Sequence, residues 1–262
     1  MTALPATVPP TSVAAWAMLA LAAALVGFSK TGIAGIGSLP ILLFATVLPA
    51  KESTGALLPV LIIADLFAIR FYSRHVEWRV LGRLAPWVVV GTVAGAAVLY
   101  FVDDTLMRLL IGVILLAMLA LQLWNRMRPK VDDPKPPSGF ARRSAAAGAG
   151  VAAGATTMMA NAAGPVMVLY LMLSGFPKLR FLGTMAWFFF AVNLFKVPFS
   201  VGLGLISWHS LLMAAVLIPA VAVGALIGRA VVHRVNQRQF ELATLALSGV
   251  GASLLILSAV AN

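Results

Sequence analysis

Residues 27–40 read GFSKTGIAGIGSLP and interrupt an apolar segment that otherwise runs from Val13 to Leu48. Glycines, a lysine and a closing proline are poor residues for the interior of a membrane-spanning helix. The arm that follows, 38–48, would be about 17 Å long, too short to cross a ~30 Å hydrocarbon core. The stretch therefore predicts the tip of a re-entrant hairpin near mid-membrane, with a first arm at about 13–28.

The composition is that of a polytopic α-helical membrane protein. Of the 262 residues 61% are hydrophobic and only 10% are charged, whereas about a quarter are charged in a soluble domain. Several apolar runs are each long enough to cross a bilayer. The chain has no cysteine, which excludes disulfides and thiolate metal sites. We attribute the net charge of +11 to cytoplasmic loops rather than to nucleic-acid binding.

The two halves of the chain repeat one another. Aligning Pro40 with Pro165 places GIAGIGSLP over MMANAAGP, and the proline-rich stretch NRMRPKVDDPKPPSGFARR then separates the halves. Further pairs follow in the same order: PAKESTG with PKLRFLG, Asp65 with Asn193, Trp78 with Trp208, and Pro86 with Pro219. We therefore divide the chain into a first transmembrane repeat at 1–124, a cytoplasmic linker at 125–143 and a second transmembrane repeat at 144–262.

The distribution of charge predicts that the second half is inverted. If each half is a broken, re-entrant hairpin plus three transmembrane helices, sixteen of the 19 Lys and Arg lie on one side of the membrane. That set includes Lys30 at the first tip, and only Lys51 and Arg108 lie opposite, as the positive-inside rule requires. The predicted fold is all-α, with two inverted repeats. Both termini are predicted outside, and no Lys or Arg precedes the first apolar run.

The two hairpin tips predict an anion site at the centre of the membrane. The second tip, GATTMMANAAG, lies between arms near 144–155 and 164–175. A short helix opens after each tip, and helix N-termini offer unpaired N–H donors to anions. The alternative is that the glycines only pack helices. The candidate substrate-binding residues are Lys196, Asn193, Asn161, Thr156, Thr157, Ser29, Thr31, Gly35, Gly37 and Ser38.

Lys196 is the most informative single residue, because an intramembrane cation is costly and usually functional. Asn193 lies one turn earlier on the same predicted helix face. The alternative for Lys196 is that its side chain extends to an interface. Asp65 occupies the position equivalent to Asn193, and either carries a coupling proton or pairs with Lys196 or Arg70.

Other motifs favour packing and anchoring over chemistry. Two glycine pairs, Gly91–Gly95 and Gly224–Gly228, have the small-xxx-small spacing of packed membrane helices. Trp78 and Trp208 are predicted interface anchors. The three histidines lie in predicted loops or at a face, away from any serine nucleophile, which disfavours an intramembrane hydrolase.

Four stretches, taken in order, resemble the sulfite exporter TauE/SafE family of anion permeases. They are GFSKTGIAGIGSLPILL, PAKESTGALLPVLIIADLFAIRFYSRHVEW, RLAPWVVVGTVAG and WFFFAVNLFKVPFSVGLGLI. The resemblance covers about 12–260 and implies a bacterial inner-membrane transporter of sulfite, sulfonates or other small anions. The family's glycine-rich segment carries over to Gly32, Gly35 and Gly37. Its intramembrane Asn and Lys carry over to Asn193 and Lys196.

We therefore predict a secondary transporter for a small anion, with sulfite or an organosulfonate as first choice, working by alternating access around a central site. The alternatives are an anion channel and a membrane scaffold without transport. We expect no enzymatic activity, no cofactor and no bound metal, and a proton gradient as the energy source. The expected partners are the anionic substrate and the lipid bilayer, with no nucleic acid. Monomer and homodimer are both left as alternatives.

Overall fold

The described part of the chain consists of helices joined by short turns, with no strand. The computed structural model describes residues 12–33, 37–103, 106–107, 109–110, 113–114, 117, 120, 139–172, 176–236 and 239. The helices are α1 Val13–Thr31, α2 Ser38–Val47, α3 Ala50–Tyr72, α4 Trp78–Phe101, α5 Gly139–Ala160, α6 Gly164–Met172, α7 Lys178–Gly202 and α8 Trp208–Arg234. Five of them (α1, α3, α4, α7 and α8) are long and apolar enough to cross a membrane. The prediction of an all-α polytopic membrane protein is confirmed.

Several predicted features lie outside the described residues. They are Gly35, the side chain of Ser38, Arg108, the termini, the linker before residue 139, and most of the third crossing in each half.

Both predicted interruptions are present. The first apolar segment breaks between Thr31 and Ser38, and the second breaks between Ala160 and Gly164. The helices that follow, α2 and α6, have 10 and 9 residues, so each is about 15 Å long and too short to span. The entry and exit of each hairpin by the same membrane face stays a prediction.

The two halves exchange contacts reciprocally. Helix α1 of the first half packs on α8 of the second, and α4 of the first half packs on α5 of the second. Helix α3 packs on its equivalent, α7. A duplicated sequence predicts such pairing of equivalent helices, because each surface in one half has a counterpart in the other. The inverted orientation of the two halves stays a prediction.

Glycines bring these helix pairs into backbone contact. A Cβ atom at Gly224 would overlap the carbonyl group of Ala24 in α1, and one at Gly91 would overlap the carbonyl group of Val151 in α5. Contact this close is the usual reason for small residues at membrane helix interfaces. The packing role predicted for the two glycine pairs is confirmed.

We expect Gly91→Ala to destabilise the protein in detergent, because the added methyl group must push α4 and α5 apart. Overpacking of this kind typically costs about 1–3 kcal/mol. Gly82→Ala in the same helix is the matched control, since a Cβ there meets nothing within 4 Å. The midpoint of thermal denaturation should fall for Gly91→Ala alone, and equal midpoints for the two variants would contradict the close packing.

A lysine at the start of one helix binds the end of another in each half. The Nζ of Lys51 donates to the carbonyl of Val102, the C-cap of α4, at 3.0 Å. The Nζ of Lys178 donates to the carbonyl of Val235, the C-cap of α8, at 2.5 Å. A cation at a helix C-terminus is favourable because the terminal carbonyls carry partial negative charge. From the sequence, these lysines are predicted only to lie at opposite faces of the membrane.

Candidate functional site

A buried carboxylate joins three helices. The carboxylate of Asp65 in α3 accepts a hydrogen bond from Nδ2 of Asn193 in α7 at 2.7 Å. Its other oxygen lies 2.8 Å from Nζ of Lys30 in α1. Asp65 and Asn193 are fully buried. The equivalent positions of the two halves, Asp65 and Asn193, therefore touch directly, which their alignment alone did not predict.

Lys30 is a site residue that the sequence analysis missed. The prediction placed it at a hairpin tip, facing the cytoplasm, but α1 continues to Thr31 and carries Lys30 in its last turn. Only 10% of its side chain is exposed. Its ammonium group also lies 3.7 Å from the centre of the Phe189 ring, a favourable cation–π geometry. A signal was present in the sequence, because Lys30 is the only charged residue between Val13 and Leu48.

Asp65 therefore pairs with Lys30 and not with Lys196 or Arg70, the two predicted partners. Arg70, in the last turn of α3, is exposed. Lys196 lies in the same buried region, but its hydrogen bonds go to other groups. Burial at this depth requires a charged group to be paired, and Lys30 supplies that pairing.

Lys196 is buried without a carboxylate partner among the residues that the structure describes. It is 1% exposed, so the alternative that its side chain extends to an interface is wrong. Its Nζ donates to Oδ1 of Asn161 at 2.5 Å and lies 3.4 Å from Oγ1 of Thr157. Both acceptors are neutral, and an ammonium group has three protons to donate. One donor is therefore left for another ligand.

The backbone of Asn161 is held in an unusual conformation. Asn161 follows α5 with φ of 54°, the left-handed region, which asparagine tolerates better than most residues. Its Nδ2 donates to the carbonyl of Thr54 in α3 at 3.0 Å. That bond orients the amide so that Oδ1 faces Lys196. The break between α5 and α6 thus positions Lys196. A broken helix at membrane depth is tolerated only where protein encloses its backbone.

We expect Asn161→Gly to weaken anion binding about tenfold, with a smaller loss of stability than Asn161→Ala. Glycine keeps the left-handed backbone but removes the amide that orients Lys196. Asn161→Ala removes the same amide and adds backbone strain of about 1 kcal/mol. Isothermal titration and thermal denaturation of both variants separate the two roles, and wild-type affinity in Asn161→Gly would contradict the positioning role.

The remaining predicted hydroxyl groups donate to main-chain carbonyls. Thr31 Oγ1 donates toward Ala225 at 2.7 Å across the α1–α8 contact. Thr156 Oγ1 donates to Ala152 at 2.6 Å, and Ser29 Oγ donates to Val26. Thr31 thus links two helices, whereas Ser29 and Thr156 bond within their own helices. A hydroxyl has one proton to donate, so each of these groups would have to rotate to donate to an anion.

Two further predicted substrate-binding residues are Gly37, at the start of α2, and Asn193, with a buried amide oxygen. Gly37 precedes α2 as its N-cap, so the helix opens where the sequence predicted. Oδ1 of Asn193 is buried and accepts no hydrogen bond from the described part of the chain. An unpaired buried acceptor is costly unless a ligand or water donates to it.

The charges of the site do not balance. Lys30 and Lys196 contribute two ammonium groups, and Asp65 contributes one carboxylate. Asp65 and Lys196 are buried, and Lys30 is nearly so. With each group ionised, the enclosed charge is one positive unit. An uncompensated charge inside a membrane is costly, so the arrangement favours a bound anion. In the described ranges no group of three His, Cys, Asp or Glu side chains could hold a metal ion.

Comparison with known proteins gives one match. The family model described as "Sulfite exporter TauE/SafE" matches residues 19–255. A search of curated proteins and a search of solved structures each gave no match. The matched range contains the breaks after α1 and α5 and every buried charge of the site.

Proposed function

This chain belongs to the sulfite exporter TauE/SafE family, whose members are multi-pass membrane permeases, and from that premise we propose that it carries a small oxyanion across the cell inner membrane. Sulfite or an organosulfonate is the first choice. The linker at 125–143 faces the cytoplasm in this proposal, and both termini face outside.

The observation that carries the proposal is the environment of Lys196. Its ammonium group is buried among neutral partners, whereas Lys30, the neighbouring cation in the described part of the chain, is paired with Asp65. A lysine that served only stability would be paired, because leaving a charge uncompensated costs several kcal/mol. We assign Lys196 as the group that binds the substrate anion, with Asn193, Asn161 and Thr157 orienting it.

Helix packing supports alternating access. The pairs α1–α8 and α4–α5 are each held by backbone contact at glycines, so each pair would move as one unit. The site lies where α3 and α7 meet beside them, with α1 contributing Lys30 and α5 leading into Asn161. Rocking of one unit against the other would expose the site to each side in turn, as in other repeat-built carriers. Asp65 stays our candidate for proton coupling.

The test is counterflow in proteoliposomes. Vesicles loaded with unlabelled sulfite should accumulate labelled sulfite transiently from a lower outside concentration, because a carrier exchanges bound substrate. Vesicles without protein are the control. A channel would equilibrate the label without overshoot and would conduct steady current, whereas no uptake of any anion would overturn the proposal in favour of a scaffold.

A further inference from the structure

We propose that the Lys30–Asp65 ion pair sets the valence of the transported anion, so that the site selects singly charged oxyanions over doubly charged ones. This inference rests on the proposed function, since it concerns the same central site. It assigns a specificity role to Lys30 and Asp65, which are not among the residues proposed to contact the anion.

The carboxylate of Asp65 is enclosed between a cation and an amide. One carboxylate oxygen lies 2.8 Å from Nζ of Lys30 and the other accepts from Asn193 at 2.7 Å. With both groups ionised, Lys30 and Asp65 together add no net charge to the site. Asn193 thus lies between the two charge centres, because Lys196 follows it by one turn on the same face of α7.

The sum of these charges predicts the preferred substrate. Lys30 and Asp65 cancel, and Lys196 leaves one positive unit. A singly charged anion such as bisulfite or an alkyl sulfonate neutralises the site. A doubly charged anion such as sulfate leaves a net negative charge enclosed in the membrane, where such a charge is expensive.

Removing the charge of Asp65 should reverse this preference. In Asp65→Asn the site carries two positive units, and the added attraction acts twice as strongly on a doubly charged ligand as on a singly charged one. Coulomb energies of a few kcal/mol between nearby charges correspond to a change of at least about tenfold in the ratio of the two affinities.

Methanesulfonate and sulfate are suitable probes, because both are tetrahedral sulfur oxyanions of similar size that differ in charge. Their dissociation constants would be measured by isothermal titration with full-length protein in detergent. Wild type should favour methanesulfonate, and Asp65→Asn should shift the ratio toward sulfate by about tenfold or more. Asp103→Asn is the matched control, since Asp103 is an exposed carboxylate beyond the end of α4.

A second variant guards against misfolding. The double variant Lys30→Met/Asp65→Asn loses one charge of each sign and returns the site to one positive unit. Its ratio of affinities should lie near that of wild type. A double variant that shifts the ratio as far as Asp65→Asn would overturn the charge argument.

The outcomes separate this inference from the proposed function. If wild type binds either anion and Asp65→Asn leaves the ratio unchanged, or if wild type favours sulfate, valence selection is wrong and the permease proposal stands. If wild type binds no oxyanion in this assay or the counterflow assay, both proposals fail.

Discussion

Replacing Lys196 by methionine is expected to abolish anion binding while the protein stays folded in the membrane. Methionine nearly keeps the volume of the side chain and removes its charge. Because Lys196 has only neutral partners, the variant leaves no buried carboxylate unpaired. Truncating a charged group that binds an ion costs about 2–5 kcal/mol, which lowers affinity by at least about thirtyfold.

Two measurements on purified Lys196→Met check this expectation. Isothermal titration with sulfite should give no detectable heat of binding, and thermal denaturation without anion should give a midpoint no lower than that of wild type. Arg79→Met, which removes an exposed cation near the start of α4, should bind like wild type. Unchanged affinity in Lys196→Met would remove this residue from the site.

Removing only one charge of the Lys30–Asp65 pair should have the largest effect on the stability of the protein. In Lys30→Met the carboxylate of Asp65 keeps its bond from Asn193 but loses its counter-charge. Removing one partner of a buried ion pair typically costs about 3–5 kcal/mol. We expect a lower yield of monodisperse protein and a lower midpoint of thermal denaturation than for Arg70→Met, which removes an exposed cation of α3.

The double variant Lys30→Met/Asp65→Asn should recover most of this loss, because it removes both charges of the pair and leaves neither without its partner. A packing defect at residue 30 alone would not give this recovery of the denaturation midpoint. A double variant as unstable as Lys30→Met would show that the pair contributes through shape rather than through charge.

The hairpin breaks could be predicted from the sequence because backbone chemistry is local. Glycines and proline cannot continue a membrane helix without cost, and the structure starts α2 and α6 at Ser38 and Gly164, where the sequence predicts them to open. The sequence placed the end of the first arm near residue 28, but α1 continues to Thr31. Sequence patterns place helix ends to within about 2–4 residues, and the added turn carries Lys30 into the site.

The pairing of charges could not be predicted in the same way. The sequence identifies Lys196 and Asp65 as intramembrane charges, and it offered Lys196 or Arg70 as partners for Asp65. Which cation meets the carboxylate depends on how α1, α3 and α7 pack and rotate, and nothing local to Asp65 encodes that. The hydroxyl groups of Thr31 and Thr156, expected to donate to the anion, donate to main-chain carbonyls of Ala225 and Ala152. Those bonds also depend on tertiary and helical geometry.

The amino-acid sequence by itself determined the membrane environment, the two broken segments, the duplication and the costly lysine at 196, since composition, helix breakers and burial of charge follow from residue identity. Tertiary structure alone decided that Asp65 is neutralised by Lys30 and that Lys196 faces the Asn161 amide. Electrostatic energies depend on distances between atoms that are far apart along the chain, and only packed helices set those distances.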